Sequence, residues 1–374
     1  MKLVSLLLLS AIVLASEGDR DPEYVQCLSD CDQLMNCDVV SGTQANTQTT
    51  LYSRELFANS YPVGWLSENL LQWDCHLNCR YTCVRFNAFN RRVEGQPVVQ
   101  YDGKWPFIRV FGITEVFSVI FLLGNLWANY SSIFRMKWEY NKSSRTPGQE
   151  EYGIAYKQYL ILLYVSVVGW LFSTVFHIRD SPLTETCDYF GAVAIIMCNF
   201  NAIVVRYFRL YTKKFALLRG IFQLILFITY ITHCSILLQN WDYAYNVKFS
   251  SFFGIISMVL WVLHLLKVNQ VYQKAFQVYS NSIQLLPYET RILAKINTLG
   301  FFSESQYIPF IPIALNAFII FGMSLELLDF PPIFDFIDAH ALWHLATIFP
   351  SWIWYDWNAW DIEFEKQRDN LHRK

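Results

Sequence analysis

Apolar residues in this chain gather into stretches of about twenty, separated by polar segments. The stretches lie near 107–128, 156–178, 186–205, 216–238, 249–267, 306–328 and 339–357. About twenty apolar residues in helical form cross about 30 Å of hydrocarbon. The pattern therefore predicts an all-α membrane protein, a bundle of seven transmembrane helices. The sixth stretch contains Pro309 and Pro312, so a kink is expected there. The segment 268–305 is too polar to span and is expected to be a partly helical connection. There is no internal repeat and no low-complexity tract.

A shorter apolar run opens the chain. Lys2 precedes Leu3 to Leu14, and Val13 and Ala15 are small residues at signal-peptidase positions. This predicts a signal peptide at 1–16. The remaining organisation is a cysteine-rich lumenal domain at 17–105, the seven-helix domain at 106–357 and a cytosolic tail at 358–374.

Composition agrees: 54% of the 374 residues are hydrophobic, 17% aromatic and 16% charged, against about 25% charged in soluble domains. The net charge of -2 gives no argument for a nucleic-acid partner. How the charge is distributed says more. A cleaved signal places the start of the first span in the lumen. The predicted cytosolic segments then hold eighteen Lys and Arg, and the three short lumenal loops only Arg179 and Lys248. This is the positive-inside bias, with the N-terminus lumenal and the C-terminus cytosolic. The N-x-S sequons at Asn129 and Asn141 fall in the first cytosolic loop and are expected to carry no glycan. Trp352, Trp354, Trp357 and Trp360 are expected to form an aromatic belt where the last span exits.

Six of the nine cysteines lie in the lumenal segment: Cys27, Cys31, Cys37, Cys75, Cys79 and Cys83. An oxidising compartment favours three disulfides over a zinc cluster, and six cysteines can pair in fifteen ways. The Cys75, Cys79, Cys83 spacing puts these three on one helical face. Cys187, Cys198 and Cys234 sit in apolar surroundings and are expected to be buried thiols.

With the loops placed, the stretch "STVFHIRDSPLTETCDY" (173–189) becomes the lumenal hairpin between spans two and three. His177 ends span two, Ser173 lies one turn earlier, and Asp188 opens span three. The last span begins "DAHALWHLAT", with His340 and His344 at i and i+4 on one face. Five polar residues from three spans are thus expected near one membrane face. An i, i+4 histidine pair plus a third histidine makes a three-nitrogen zinc site with an open position. Such an ion lowers the pKa of bound water to about 7. Asp188 is assigned as acceptor of that water's proton and Ser173 as donor to a developing oxyanion. Asp180 and Glu185 are candidates for orienting the histidines. His233 and His264 lack polar company at chelating spacing and read as interhelical hydrogen-bonding partners; His76 reads as a surface residue.

The S-x3-H motif, an aspartate eleven residues after that histidine, and H-x3-H in the last span resemble the CREST superfamily of seven-span membrane hydrolases. The string "FHIRDSPLTETCDYF" and the start "GDRDPEYVQCLSDC" resemble one branch more closely. That branch is the GPI-remodelling lipase family of post-GPI-attachment factors (Per1-like), whose members begin with a signal peptide and a cysteine-rich lumenal segment. The resemblance covers nearly the whole chain. It implies a GPI phospholipase A2 of the endoplasmic reticulum membrane, or the Golgi in some members. Such an enzyme removes the sn-2 acyl chain from the phosphatidylinositol of GPI-anchored proteins. It also implies that His177, His340 and His344 hold Zn2+ while Ser173 and Asp188 assist water attack. Two other readings are a ceramidase-type amide hydrolase of the same superfamily and a non-enzymatic receptor or cargo chaperone of the secretory pathway. No expectation arises for oligomeric state.

Overall fold

The structure is a computed structural model that describes residues 16–37, 52–59, 70–279, 287–301 and 304–372. The signal-peptide expectation falls on residues 1–15, outside the described residues. Among the described residues the chain is helical, with three isolated β-bridges and no strand. It divides into two compact units. One contains the chain up to Val119 with His177–Arg179 and Leu328–Ala341. The other contains Ile120–Phe176, Asp180–Leu327 and Leu342–Lys374.

The first unit is built on two antiparallel helices, α1 (Pro22–Met35) and, after the short α2 (Arg54–Asn59), α3 (Cys75–Val93). Asp21 caps α1 by accepting from Glu23 N, with Pro22 at the first helical position where no N–H is needed. Asp74 caps α3 by accepting from Leu77 N at 2.8 Å. The expected helical face of cysteines is present on α3. Its partners are now defined as Cys27–Cys83, Cys31–Cys79 and Cys37–Cys75, three rungs between the helices. The sulfurs are therefore not available as thiolates for zinc. Tyr24, Phe57, Val99 and Tyr101 complete the small core. Three cross-links suit a unit whose apolar core is this limited.

Asp335 joins the chain segment 328–341 to this unit. Arg85 Nη2 donates to its Oδ2 at 2.8 Å, and Arg92 forms a bidentate pair with its carboxylate. Burial pushes this carboxyl up, but hydrogen bonds and charge from Arg92 and Arg85 outweigh burial and hold it below its ordinary range.

Among the described residues, six helices are long and apolar enough to cross a membrane. They are Val116–Arg145, Glu150–Ile178, Pro182–Tyr207, Lys213–Gln239, Tyr243–Lys274 and Ser305–Leu328. The protein is thus a multi-pass membrane protein. Of these, α4 (Val116–Arg145), α5 (Glu150–Ile178) and α6 (Pro182–Tyr207) carry or adjoin the functional residues; α7 (Ala216–Gln239), α8 (Tyr243–Tyr279), α9 (Glu289–Thr298), α10 (Ile311–Leu328) and α11 (Ala339–His372) follow. The seventh predicted span coincides with the start of α11. That helix has 34 residues, but it is not among the six. Its first half breaks up the apolar residues with His340, His344, Ser351 and several tryptophans, and its second half buries Asp356, Asp361, Glu363, Glu365 and Lys366.

These charges are paired. Arg206 Nε donates to Asp361 Oδ2 at 2.6 Å, His264 Nε2 lies 3.0 Å from the same oxygen, and Arg206 also bonds Glu365. Asp356 pairs with Arg135, with Lys295 at 2.6 Å and with Arg291 at 3.2 Å. His264 and His233, whose Nε2 lies 3.1 Å from Asn246 Oδ1, are interhelical partners as expected.

Three features differ from the sequence reading. The first helix starts at Val116, not near 107, because Phe111 and Gly112 both take positive φ (52° and 83°) and turn the chain. Asn129 therefore lies within α4, 1% exposed, with its side chain bonded to Asn125 O and Tyr355 Oη. Trp357 and Trp360 are wholly buried and their indole N–H groups bond Ile308 O and Glu289, so they are core residues and not a surface belt. The two prolines of span six do change the helix. Pro309 ends a 3-10 segment, Ser305–Phe310, and Pro312 sits in the first turn of α10, where its missing N–H costs nothing.

Candidate functional site

The hairpin at 173–189 begins in the last turns of α5 and ends in the first turns of α6. Its polar string has a local explanation. Ser181 accepts from Thr184 N at 3.2 Å, Thr184 Oγ1 accepts from Ser181 N at 2.9 Å, and Pro182 occupies the first helical position. This capping box starts α6 sharply, so Asp188 falls in its second turn.

The two helices then meet closely. A Cβ added to Gly191 would lie 3.1 Å from Gly169 Cα, and one added to Gly169 would lie 3.2 Å from Gly191 O. Small residues allow helices to cross this closely, and a Cβ at either position would force the facing backbone to give by a few tenths of an ångström. Ser173 is four residues beyond Gly169 and Asp188 three before Gly191, so both stand about one turn from the crossing, on its hairpin side. Ser173 is 4% exposed and Asp188 half-buried.

The histidines gather at the ends of α5 and α11. His177, His340 and His344 each offer a ring nitrogen, and these atoms all lie within 4.8 Å of one another. The rings of His177 and His340 are 5.1 Å apart between centroids. His344 is packed edge-on to Trp170, and its carbonyl accepts from Asn125 Nδ2 at 2.8 Å. His177 and His344 are buried (2% and 4% exposed) and His340 half-buried. Three imidazoles that converge in this way are a donor set suited to zinc. The residues present therefore fit a metal.

Two further residues stand beside them. Glu115, 5% exposed, places Oε2 at 2.6 Å from His177 Nδ1, while Lys104 Nζ donates to its Oε1 at 2.9 Å. Asp338, also 5% exposed, accepts from Ala341 N at 2.8 Å at the start of α11. Burial, then the nearby Glu115 charge, pushes the Asp338 carboxyl above its ordinary range. Sequence reasoning named Asp180, just after α5, and Glu185, in the first turn of α6, as candidates for orienting the histidines; Glu115 is a further acid, with its carboxylate on His177 Nδ1. Its only sequence signal is an acid set directly against a long apolar run. Arg179 lies with its guanidinium 5.5 Å from the Trp73 ring, which also carries Arg109 at 3.5 Å.

The Per1-like family model matches residues 65–362. Protein PER1 of Saccharomyces cerevisiae is 30% identical, the match covering 96% of this chain and 96% of that one. Post-GPI attachment to proteins factor 3 of Drosophila melanogaster is 32% identical over 94% of this chain and 91% of its own. The GPI-specific phospholipase A2-like PGAP3 of Mus musculus is 31% identical over 92% and 89% respectively. No solved structure matches.

Proposed function

The chain belongs to the Per1-like family, and we propose that its histidine cluster is the metal centre of a GPI-lipid hydrolase. The substrate is the phosphatidylinositol of GPI-anchored proteins and the bond broken is the sn-2 ester. The observation that carries the reading is the convergence of His177, His340 and His344 within 4.8 Å, from sequence positions more than 160 residues apart. The names of the relatives, PGAP3 among them a GPI-specific phospholipase A2-like protein, supply the substrate class.

When bound, a zinc ion held by the three histidines supplies Lewis acidity and a water of lowered pKa. The chain's own residues do the rest. Asp188 takes the proton of the attacking water and returns it to the glycerol oxygen as the ester C–O bond breaks. Ser173 Oγ donates to the oxyanion that develops on the carbonyl oxygen. The products are a free fatty acid and a lyso form of the anchor. His340 and Asp188 are half-buried, while His177 and His344 are buried.

The same reading places the hairpin at the lumenal face of the endoplasmic reticulum membrane, or of the Golgi, with seven spans, a lumenal N-terminus and a cytosolic C-terminus. Asn141, in the last turns of α4, is the topology reporter: it stays unglycosylated, and glycan there overturns the orientation. The activity test is lipid analysis of GPI anchors from cells lacking the protein. Retained unsaturated sn-2 chains support the reading. Accumulated ceramide with normal anchors refutes it.

A further inference from the structure

We propose that Glu115 is a positioning residue of the histidine centre, held by Lys104, and that it determines which nitrogen of His177 faces the metal. The inference rests on the metal reading above and adds a residue that the five-residue motif does not contain.

The last four carbonyls of a helix lack partners within it. At the end of α5, His177 O accepts from Glu115 N at 3.2 Å and Ile178 O from Thr114 N at 3.1 Å. The chain just before α4 is thereby stapled to the turn that carries His177. Glu115 O in turn accepts from Val119 N at 3.0 Å, starting α4. Its side chain is thus placed by hydrogen bonds on both sides.

That side chain meets His177 Nδ1 at 2.6 Å. A carboxylate accepts only, so Nδ1 carries the proton and donates. Nε2 is then the unprotonated nitrogen of the ring, the one through which His177 would ligate. Lys104 Nζ on Oε1 at 2.9 Å keeps the second oxygen turned away from the ring. A carboxylate 5% exposed is costly without partners, and here the partners are an ammonium and a proposed metal ligand. Carboxylate–histidine–metal arrangements of this kind orient the ring and raise its basicity, and losing the outer partner lowers metal affinity about 10–100-fold. The bland alternative is that Glu115 serves only to cap α5. Its capping, however, uses the backbone N–H, which any side chain leaves in place.

The test measures zinc affinity of the full purified chain by competition with a chromophoric chelator, for wild type, Glu115→Gln and Glu115→Ala. Each metal-free protein is also melted in excess chelator. Glu115→Gln keeps shape and an acceptor oxygen but loses the charge. The expected result is a 10–100-fold loss of zinc affinity in both variants, with metal-free melting close to wild type for Glu115→Gln. Unchanged zinc affinity in both variants overturns the proposal. So does a fall in metal-free melting with affinity preserved, which assigns Glu115 to structure alone. A wild-type chain that binds no zinc refutes the metal reading itself, a different outcome from the first two.

Discussion

Gly169 and Gly191 bring α5 and α6 into close backbone approach, so that a Cβ on either would press on the other's backbone at 3.1–3.2 Å. One turn from this crossing stand Ser173 and Asp188, the two residues assigned to proton transfer and oxyanion support. The separation of these groups is thus governed by two residues that have no chemistry of their own.

Gly191→Val is accordingly expected to lower activity strongly while leaving the histidines untouched. The added groups meet Gly169 Cα and cannot be relieved by a side-chain rotation, and overpacking of this kind costs about 1–3 kcal/mol. Zinc content near wild type, with hydrolysis reduced at least tenfold and a lowered melting temperature, is the expected set of results. Full activity in this variant would show that the crossing does not position the site.

His344→Ala and His340→Ala are each expected to abolish hydrolysis and to reduce bound metal to well below one ion per chain. Expression and detergent-resistant folding should persist, because the charged network at Asp361 and the three disulfides are unaffected. Metal analysis of purified protein, beside GPI lipid profiles from complemented cells, checks both halves.

Asp361→Ala should strongly destabilise the protein without touching His177, His340 or His344. It strips Arg206, 4% exposed, of its partner at 2.6 Å and leaves His264 facing the gap. Removing one member of a buried pair costs about 3–5 kcal/mol. Thermal melting of the purified variant should fall well below that of Asp242→Asn, a change at an exposed acid.

The clamp on Asp335 gives a pH dependence of known sign. Its carboxyl is held below the ordinary value of 3.8 by Arg92 and Arg85. The folded form thus favours the ionised carboxylate more than the unfolded chain does. The stabilisation is complete above that ordinary value and is lost as pH falls below it through the folded value. Chemical unfolding of wild type and Asp335→Asn should differ at neutral pH and converge on acidification. A gap that widens on acidification contradicts the clamp.

Periodicity, loop charge and motif spacing were enough to identify a helical membrane protein, its disulfide-bearing segment and the five polar residues of the motif. Apolar runs and i, i+4 pairs are local, and local patterns are legible in one dimension. The starts of helices were less legible. Phe107 to Ile113 is apolar enough to look like span, yet the positive φ at Phe111 and Gly112 turns it into a connection. Tryptophan position misled for a related reason. A Trp near a span end suits an interface, but Trp357 and Trp360 find hydrogen-bond acceptors within the fold.

What the sequence determined by itself was which residues are polar where polarity is expensive, and on which helix each stands. Tertiary structure decided their partners. Cysteine spacing left fifteen pairings open, and only the antiparallel approach of α1 and α3 selects one. His177 showed its chelating company in sequence, but not Glu115, 62 residues away. Asp361, Glu363, Glu365 and Lys366 fall in the segment expected as a cytosolic tail, yet all four are buried, with Arg206 and His264 from other helices against Asp361. Burial of a charge depends on what folds over it, and that is a property of long-range packing that no single segment encodes.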